Sequence, residues 1–215
     1  MPWKTQYLAE DLSRKIQRTE MSKKTGKSLV IDACIARSAS ETNHPISSAC
    51  RECLKSILKH SHRMVITKEI SREWRKHQSP FAQEWLKTMF QRKRLHSLKP
   101  SQVENIDGLM DFIDTLEFQK EREDAYKDIH LIEAAIASDK RIISSDEKTA
   151  RKFFSAATET VPIIGDILWA NPVKPEESVA DWIAQGTPLE PERTLKAFRQ
   201  RSKTAQGSSS PERIG

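Results

Sequence analysis

The sequence predicts an α/β protein with three layers, α/β/α, around a central parallel sheet of four to five strands. Three observations lead there. Between residues 28 and 172, strand-like apolar runs alternate with helix-like segments. The runs are continuous rather than alternating apolar and polar, as strands buried on both faces are. The chain has 215 residues, enough for one domain with a proper core and extensions at both ends.

In chain order, residues 1–27 are polar and basic, with Trp3, Tyr7 and Leu8 as their few apolar anchors. They read as a basic N-terminal extension, either a docked helix or a mobile arm. "SLVIDA" (28–33) is a short buried strand ending in an acid. A helix then starts near Pro45 and ends near His60. "RMVIT" (63–67) is the second strand, and "KEISREWRKH" is the helix directly after it.

Another helix is expected over 81–93. Residues 101–118 carry a helical period, with Val103, Ile106, Met110, Ile113 and Leu116 on one side and Glu104, Asp107, Asp111 and Asp114 on another. The acidic row reads as a solvated face. A helix near 126–138, a strand near 141–144 and a last short strand within "TVPIIGDILWANP" complete the domain at Pro172. Residues 173–215 turn Pro-, Glu- and Ser-rich and read as a C-terminal tail, partly helical in "SVADWIAQG" and "PERTLKAFRQR" and then disordered.

Charged residues make up 31% of the chain, and the mean hydropathy is -0.65. No run approaches the ~18 apolar residues of a membrane span, and the N-terminus lacks the apolar centre of a signal peptide. A cytoplasmic location without membrane association is expected. Cys50 and Cys53 form a CxxC upstream of His60 and His62, but the spacing suits a zinc finger poorly. Ile46, Cys50, Cys53 and Ile57 share one helical face, which favours core packing.

The charge is unevenly spread. From Arg51 to Lys99 thirteen Lys/Arg face four Glu, a net +9; from Pro100 to Glu147 five Lys/Arg face thirteen Asp/Glu, a net -8. That asymmetry suggests a polyanion-binding face beside an acidic site.

In open α/β sheets, ligands bind beyond the carboxyl ends of the strands. Asp32 ends the first strand and Asp146 follows a later one, while Asp128 falls in the first turn of the preceding helix. Glu69 and Glu73 lie one turn apart on the helix after the second strand. Singly, each acid reads as a cap or a turn residue. Together, they place three or four carboxylates at one sheet edge, where Mg²⁺ or Mn²⁺ is the natural counter-charge. No Gly-rich phosphate loop, Ser-His-Asp pattern or HExxH is present, which leaves metal-assisted hydrolysis as the best-supported chemistry.

With "VIDACIA", "VITKEISREW", "KDIHLIEAAIASDKRIISSDEK" and "IIGDILWANP" in that order, residues 28–172 resemble the PIN-domain nucleases. The resemblance implies an endoribonuclease that uses one or two Mg²⁺ or Mn²⁺ ions and leaves a 5′-phosphate and a 3′-hydroxyl. It assigns Asp32, Asp128 and Asp146 to the first, third and fourth acids, as metal ligands. The second acid is Glu73 rather than Glu69, because Glu73 precedes the bulky Trp74. Asp124 is a lesser competitor for the third position, and Ser144 is a polar helper to Asp146. Cys34 departs from the family, which often has Ser, Thr or Asn there.

Substrate backbone is expected on Arg72, Arg75, Lys76, Arg92, Lys93 and Arg94. Trp74 and Trp85 read as core residues before base-stacking ones. Stand-alone PIN domains are frequently the toxins of bacterial toxin–antitoxin pairs, so the resemblance implies an RNA substrate, an antitoxin partner and a homodimer. A non-catalytic RNA-binding or scaffolding PIN domain and a structure-specific DNA nuclease are the alternatives.

Overall fold

The computed structural model describes residues 26–103 and 105–207. Five strands, β1 (Ser28–Ile31), β2 (Arg63–Ile66), β3 (Leu95–Ser97), β4 (Arg141–Ile143) and β5 (Leu168–Ala170), form one sheet in the order β3-β2-β1-β4-β5. Every pairing is parallel. β3 escapes the sequence reading because Leu95–Ser97 is short, polar and only half-buried on the sheet edge.

Nine α-helices among the described residues cover both faces of the sheet, giving three layers. They are α1 (Ala33–Ser38), α2 (Pro45–Lys59), α3 (Lys68–His77), α4 (Pro80–Gln91), α5 (Leu109–Asp114), α6 (Gln119–Ile136), α7 (Lys152–Ala157), α8 (Val179–Ala184) and α9 (Leu195–Gly207). None of them is long and apolar enough to cross a membrane.

Local chemistry sets the ends of these elements. Asp32, His44, Thr67 and Ser79 each accept a backbone N–H at a helix N-terminus, and Pro45 and Pro80 occupy first-turn positions whose N–H groups have no helical partner. The core runs through the buried strand residues Leu29, Val30, Ile31, Met64, Val65, Ile142, Ile143 and Trp169. Cys50 and Cys53 are free thiols buried in it, and burial raises the Cys50 pKa to about 11. Ile46, expected on the same stripe, is exposed at the start of α2.

Two helix expectations are corrected. No single helix spans 101–118. A short 3-10 turn covers Pro100–Gln102, and α5 begins only after Gly108, whose φ of 77° breaks right-handed helical continuity. Conversely, α6 starts at Gln119, so Asp128 sits in its third turn rather than its first. A capping role for Asp128 is thereby removed.

Residues 173–207 pack against the body. The Ser56 hydroxyl on α2 donates to the Ala180 carbonyl at 2.9 Å, and Trp182, Ile183 and Leu195 are buried. Buried His62 accepts the Lys27 N–H at 3.1 Å through Nδ1, and its Nε2 meets the Ile183 carbonyl at 2.9 Å. The readings of residues 1–25, of Glu104 and of residues 208–215 lie outside the described residues.

Candidate acidic active site

Strand order reverses between β1 and β4: from β1 the chain builds outward to β2 and β3, then crosses to β4 on the other side. Such a switch point opens a crevice at the carboxyl ends of the two strands. Here it is a cleft of about 490 Å³, lined by Asp32, Glu73, Asp128 and Asp146.

Each acid arrives by a different route. Asp32 directly follows β1, and its own N–H bonds the Ile143 carbonyl on β4 at 3.0 Å, so it sits on the seam. Its carboxylate caps α1 by accepting the Cys34 N–H at 3.0 Å, and it also accepts the Ser144 hydroxyl at 2.6 Å and the Cys34 thiol at 2.9 Å. Asp146 ends the loop after β4. Its N–H donates to Ser144 Oγ at 3.1 Å, and its Oδ1 accepts the Thr149 N–H at 2.9 Å. Ser144, fully buried, therefore ties the two aspartates together.

Trp74 explains why Glu73 lines the cleft. Its buried indole N–H donates to the Ile31 carbonyl at 2.7 Å and pins α3 beside the end of β1. Glu73, its neighbour, is carried to the rim, whereas Glu69, one turn earlier, is exposed and lines no part of it. The Glu73 carboxylate lies 3.6 Å from Arg72 Nε and 3.4 Å from His77 Nε2. Trp74 and Trp85 pack with ring centroids 5.7 Å apart, and the Trp85 indole N–H bonds the Leu54 carbonyl at 2.6 Å. Both rings belong to the core and cannot stack on bases.

Asp128 enters from α6. Burial, and then the carboxylates of Asp32 and Asp146, push its pKa up to about 7. Asp124, one turn earlier, adds to this but pairs with Lys127 at 3.0 Å and does not line the cleft. The Cys34 thiol is raised by burial and by Asp32, so it stays protonated as a hydrogen-bond donor. It also accepts from Ser145, whose hydroxyl is 3.2 Å away.

The expected cationic face divides. Arg72 and Lys76 line the cleft, while Arg75 does not. Arg92, Lys93 and Arg94 lie in the turn before β3, at the amino end of the sheet and opposite the acids. There Arg94 donates to the Leu58 carbonyl at 2.5 Å and to Ser61 Oγ at 3.1 Å, which assigns it to holding that turn. The sequence reading missed Arg37, His77, Lys127 and His130, which also line the cleft. His77 alone had a sequence signal, four residues after Glu73 and so on the same helical face. Burial lowers the His130 pKa, so it favours the neutral ring.

Among the described residues, no three His, Cys, Asp or Glu side chains are grouped as closely as a bound metal ion would hold them. The donor set is nonetheless the hard-oxygen type that Mg²⁺ and Mn²⁺ take. Burial is the larger cause of the upward shift at Asp128, and the part due to Asp32 and Asp146 is repulsion that a cation between these carboxylates would relieve. By chemistry the residues fit such an ion. No family model, curated protein or solved structure matches the chain.

Proposed function

We propose that this chain is a metal-dependent nuclease that hydrolyses RNA phosphodiester bonds. One observation carries the reading: four carboxylates from four separate elements line one cleft at the sheet's switch point, where burial, Asp32 and Asp146 push Asp128 up to about 7. Such a cluster is costly to keep without a function that uses its charge.

Asp32, Asp128 and Asp146 would hold Mg²⁺ or Mn²⁺, which supplies an acidified bound water and offsets charge on the scissile phosphate. Ser144 and Cys34 hold the Asp32 carboxylate in one orientation, each by a donated hydrogen bond. Glu73 stands at the rim as a proton acceptor for the attacking water, its carboxylate held between Arg72 and His77. The cations at the cleft draw the substrate backbone toward the acids.

The test is cleavage of a generic RNA by purified protein in Mg²⁺ or Mn²⁺, against an EDTA control. Asp32→Asn and Asp146→Asn should each cut the rate roughly 10³-fold, the equivalent of several kcal/mol of lost charge stabilisation. Circular dichroism should remain native, because asparagine keeps the capping oxygen at both positions. Undiminished cutting by both variants would sink the assignment.

A further inference from the structure

We infer that Arg37 and Lys76 form a binding subsite for a backbone phosphate one or two nucleotides from the one cleaved, so that the cleft takes a strand of several nucleotides rather than an isolated diester. This rests on the nuclease reading above and names the substrate that its site accepts.

Most cations near the acids already have a partner. Arg72 is 3.6 Å from Glu73, Lys127 is 3.0 Å from Asp124, and Arg151, just beyond Asp146, is buried between Glu147 and Glu177. Arg37 and Lys76 differ: both are exposed, both line the cleft, and neither has an ion-pair or hydrogen-bond partner among the described residues. Free cations held at the rim of an acidic cleft are placed for an anion that comes with the substrate.

Their separation from the acids fits a polymer. Arg37 lies five residues beyond Asp32 along α1, a rise of about 7 to 8 Å. That spans roughly two stacked nucleotides at ~3.4 Å each. Lys76 follows Glu73 by three residues on α3, the helix packed against α1, so each cation follows an acid by about a turn along its own helix and both line the same cleft. A phosphate bound there is displaced from the scissile one and leaves the carboxylates to the reacting centre. A compact diester has no group to reach it.

The test uses a 5′-fluorescein-labelled single-stranded RNA decamer and bis(p-nitrophenyl) phosphate, which has no second phosphate. In EDTA, Arg37→Ala and Lys76→Ala should each weaken decamer binding several-fold and lower the slope of log affinity against log salt by about one. In Mn²⁺, each should reduce kcat/KM for RNA several-fold more than for the small diester, chiefly through KM. Native circular dichroism controls for folding, and Arg37→Lys should recover most of the binding. Unchanged affinity and salt slope in both alanine variants would overturn the subsite, as would equal losses on the two substrates. If the wild-type protein binds the decamer but hydrolyses neither substrate, the nuclease reading fails, and the EDTA arm still decides the subsite.

Discussion

Two groups of acids stand on the same carboxyl edge of the sheet, one strand apart, and their surroundings treat them oppositely. In the cleft between β1 and β4, Asp32, Glu73, Asp128 and Asp146 share one lining, and none of Asp32, Asp128 and Asp146 has an ion-pair partner among the described residues. Beyond β4 and β5, Glu147 and Glu177 are matched with bases. Arg151, only 2% exposed, donates to Glu147 at 2.9 Å, to Glu177 at 2.5 Å and to the Trp169 carbonyl at 3.2 Å, and it lies 4.6 Å from the Phe198 ring centroid. Lys174 reaches Glu147 at 2.7 Å, and the Asn171 N–H reaches Glu177 at 2.8 Å.

The pKa shifts record the difference. Asp128 is raised to about 7, whereas Glu147, despite its burial, is lowered by Lys174 and Arg151. Asp146 and Glu147 are neighbours in sequence, yet one enters the self-repelling cleft and the other a satisfied network. The lesson is that carboxylate density does not identify a site. What separates the two groups is whether the fold supplies the counter-charge or leaves it to a ligand.

The largest expected contrast comes from removing the central cation of the matched group. Arg151→Met removes the one cation that half-buried Glu147 and Glu177 share, leaving only Lys174 to the first and Arg193 to the second, and should destabilise the protein by about 3 kcal/mol. Urea unfolding would measure it, and a midpoint close to wild type would mean that the network contributes little. Removing an acid from the cleft should act in the opposite sense, because Asp128→Asn relieves repulsion rather than creating it.

The second contrast is a pH dependence. Folded Asp128 holds its proton up to about pH 7, while in the unfolded chain it ionises near its ordinary value of 3.8. Between those values the folded state binds more protons, so this group's contribution lowers stability as pH rises from about 4 to about 7, and is flat above. Denaturant midpoints in EDTA at pH 5 and pH 8 should differ by less in Asp128→Asn than in wild type. Equal differences would show that burial and the neighbouring acids do not raise Asp128. For Glu147 and its lowered pKa the sign reverses, and its stabilisation is lost as pH falls through the carboxylate range.

The smallest effect is expected at Cys34. Cys34→Ser keeps a donor to Asp32 and an acceptor for Ser145, so RNA cleavage should stay within about threefold of wild type. Cys34→Val removes both and should cost more. Equal activities in the two variants would show that the Asp32 carboxylate needs no support from this side chain.

Much of the fold is legible in the sequence because each central strand is a continuous apolar run after its first residue. Ser28–Ile31 and Arg141–Ile143 are buried along their whole length, and a continuous run of that kind has one natural environment. β3 was not legible, since Leu95–Ser97 takes its strand geometry from pairing with β2 rather than from its own residues. The 101–118 stretch shows the converse, a helical period overruled by one glycine at positive φ. In the site, Asp32 and Asp146 were readable from their places after strands, and Glu73 from its buried neighbour Trp74. Arg37, Lys127 and His130 carry no local pattern and join the cleft only through the packing of α1, α3 and α6.

The sequence by itself thus determined the α/β class, the strand-ending acids and the helix caps, all of which depend on residues near one another in the chain. Tertiary structure alone decided which charges meet: that Asp146 faces Asp32 while Glu147 faces Arg151, and that Arg92, Lys93 and Arg94 fall at the opposite end of the sheet from the acids. The physical reason is range. Caps and burial patterns act over a few residues, whereas electrostatic pairing depends on distances that only strand order and helix packing set.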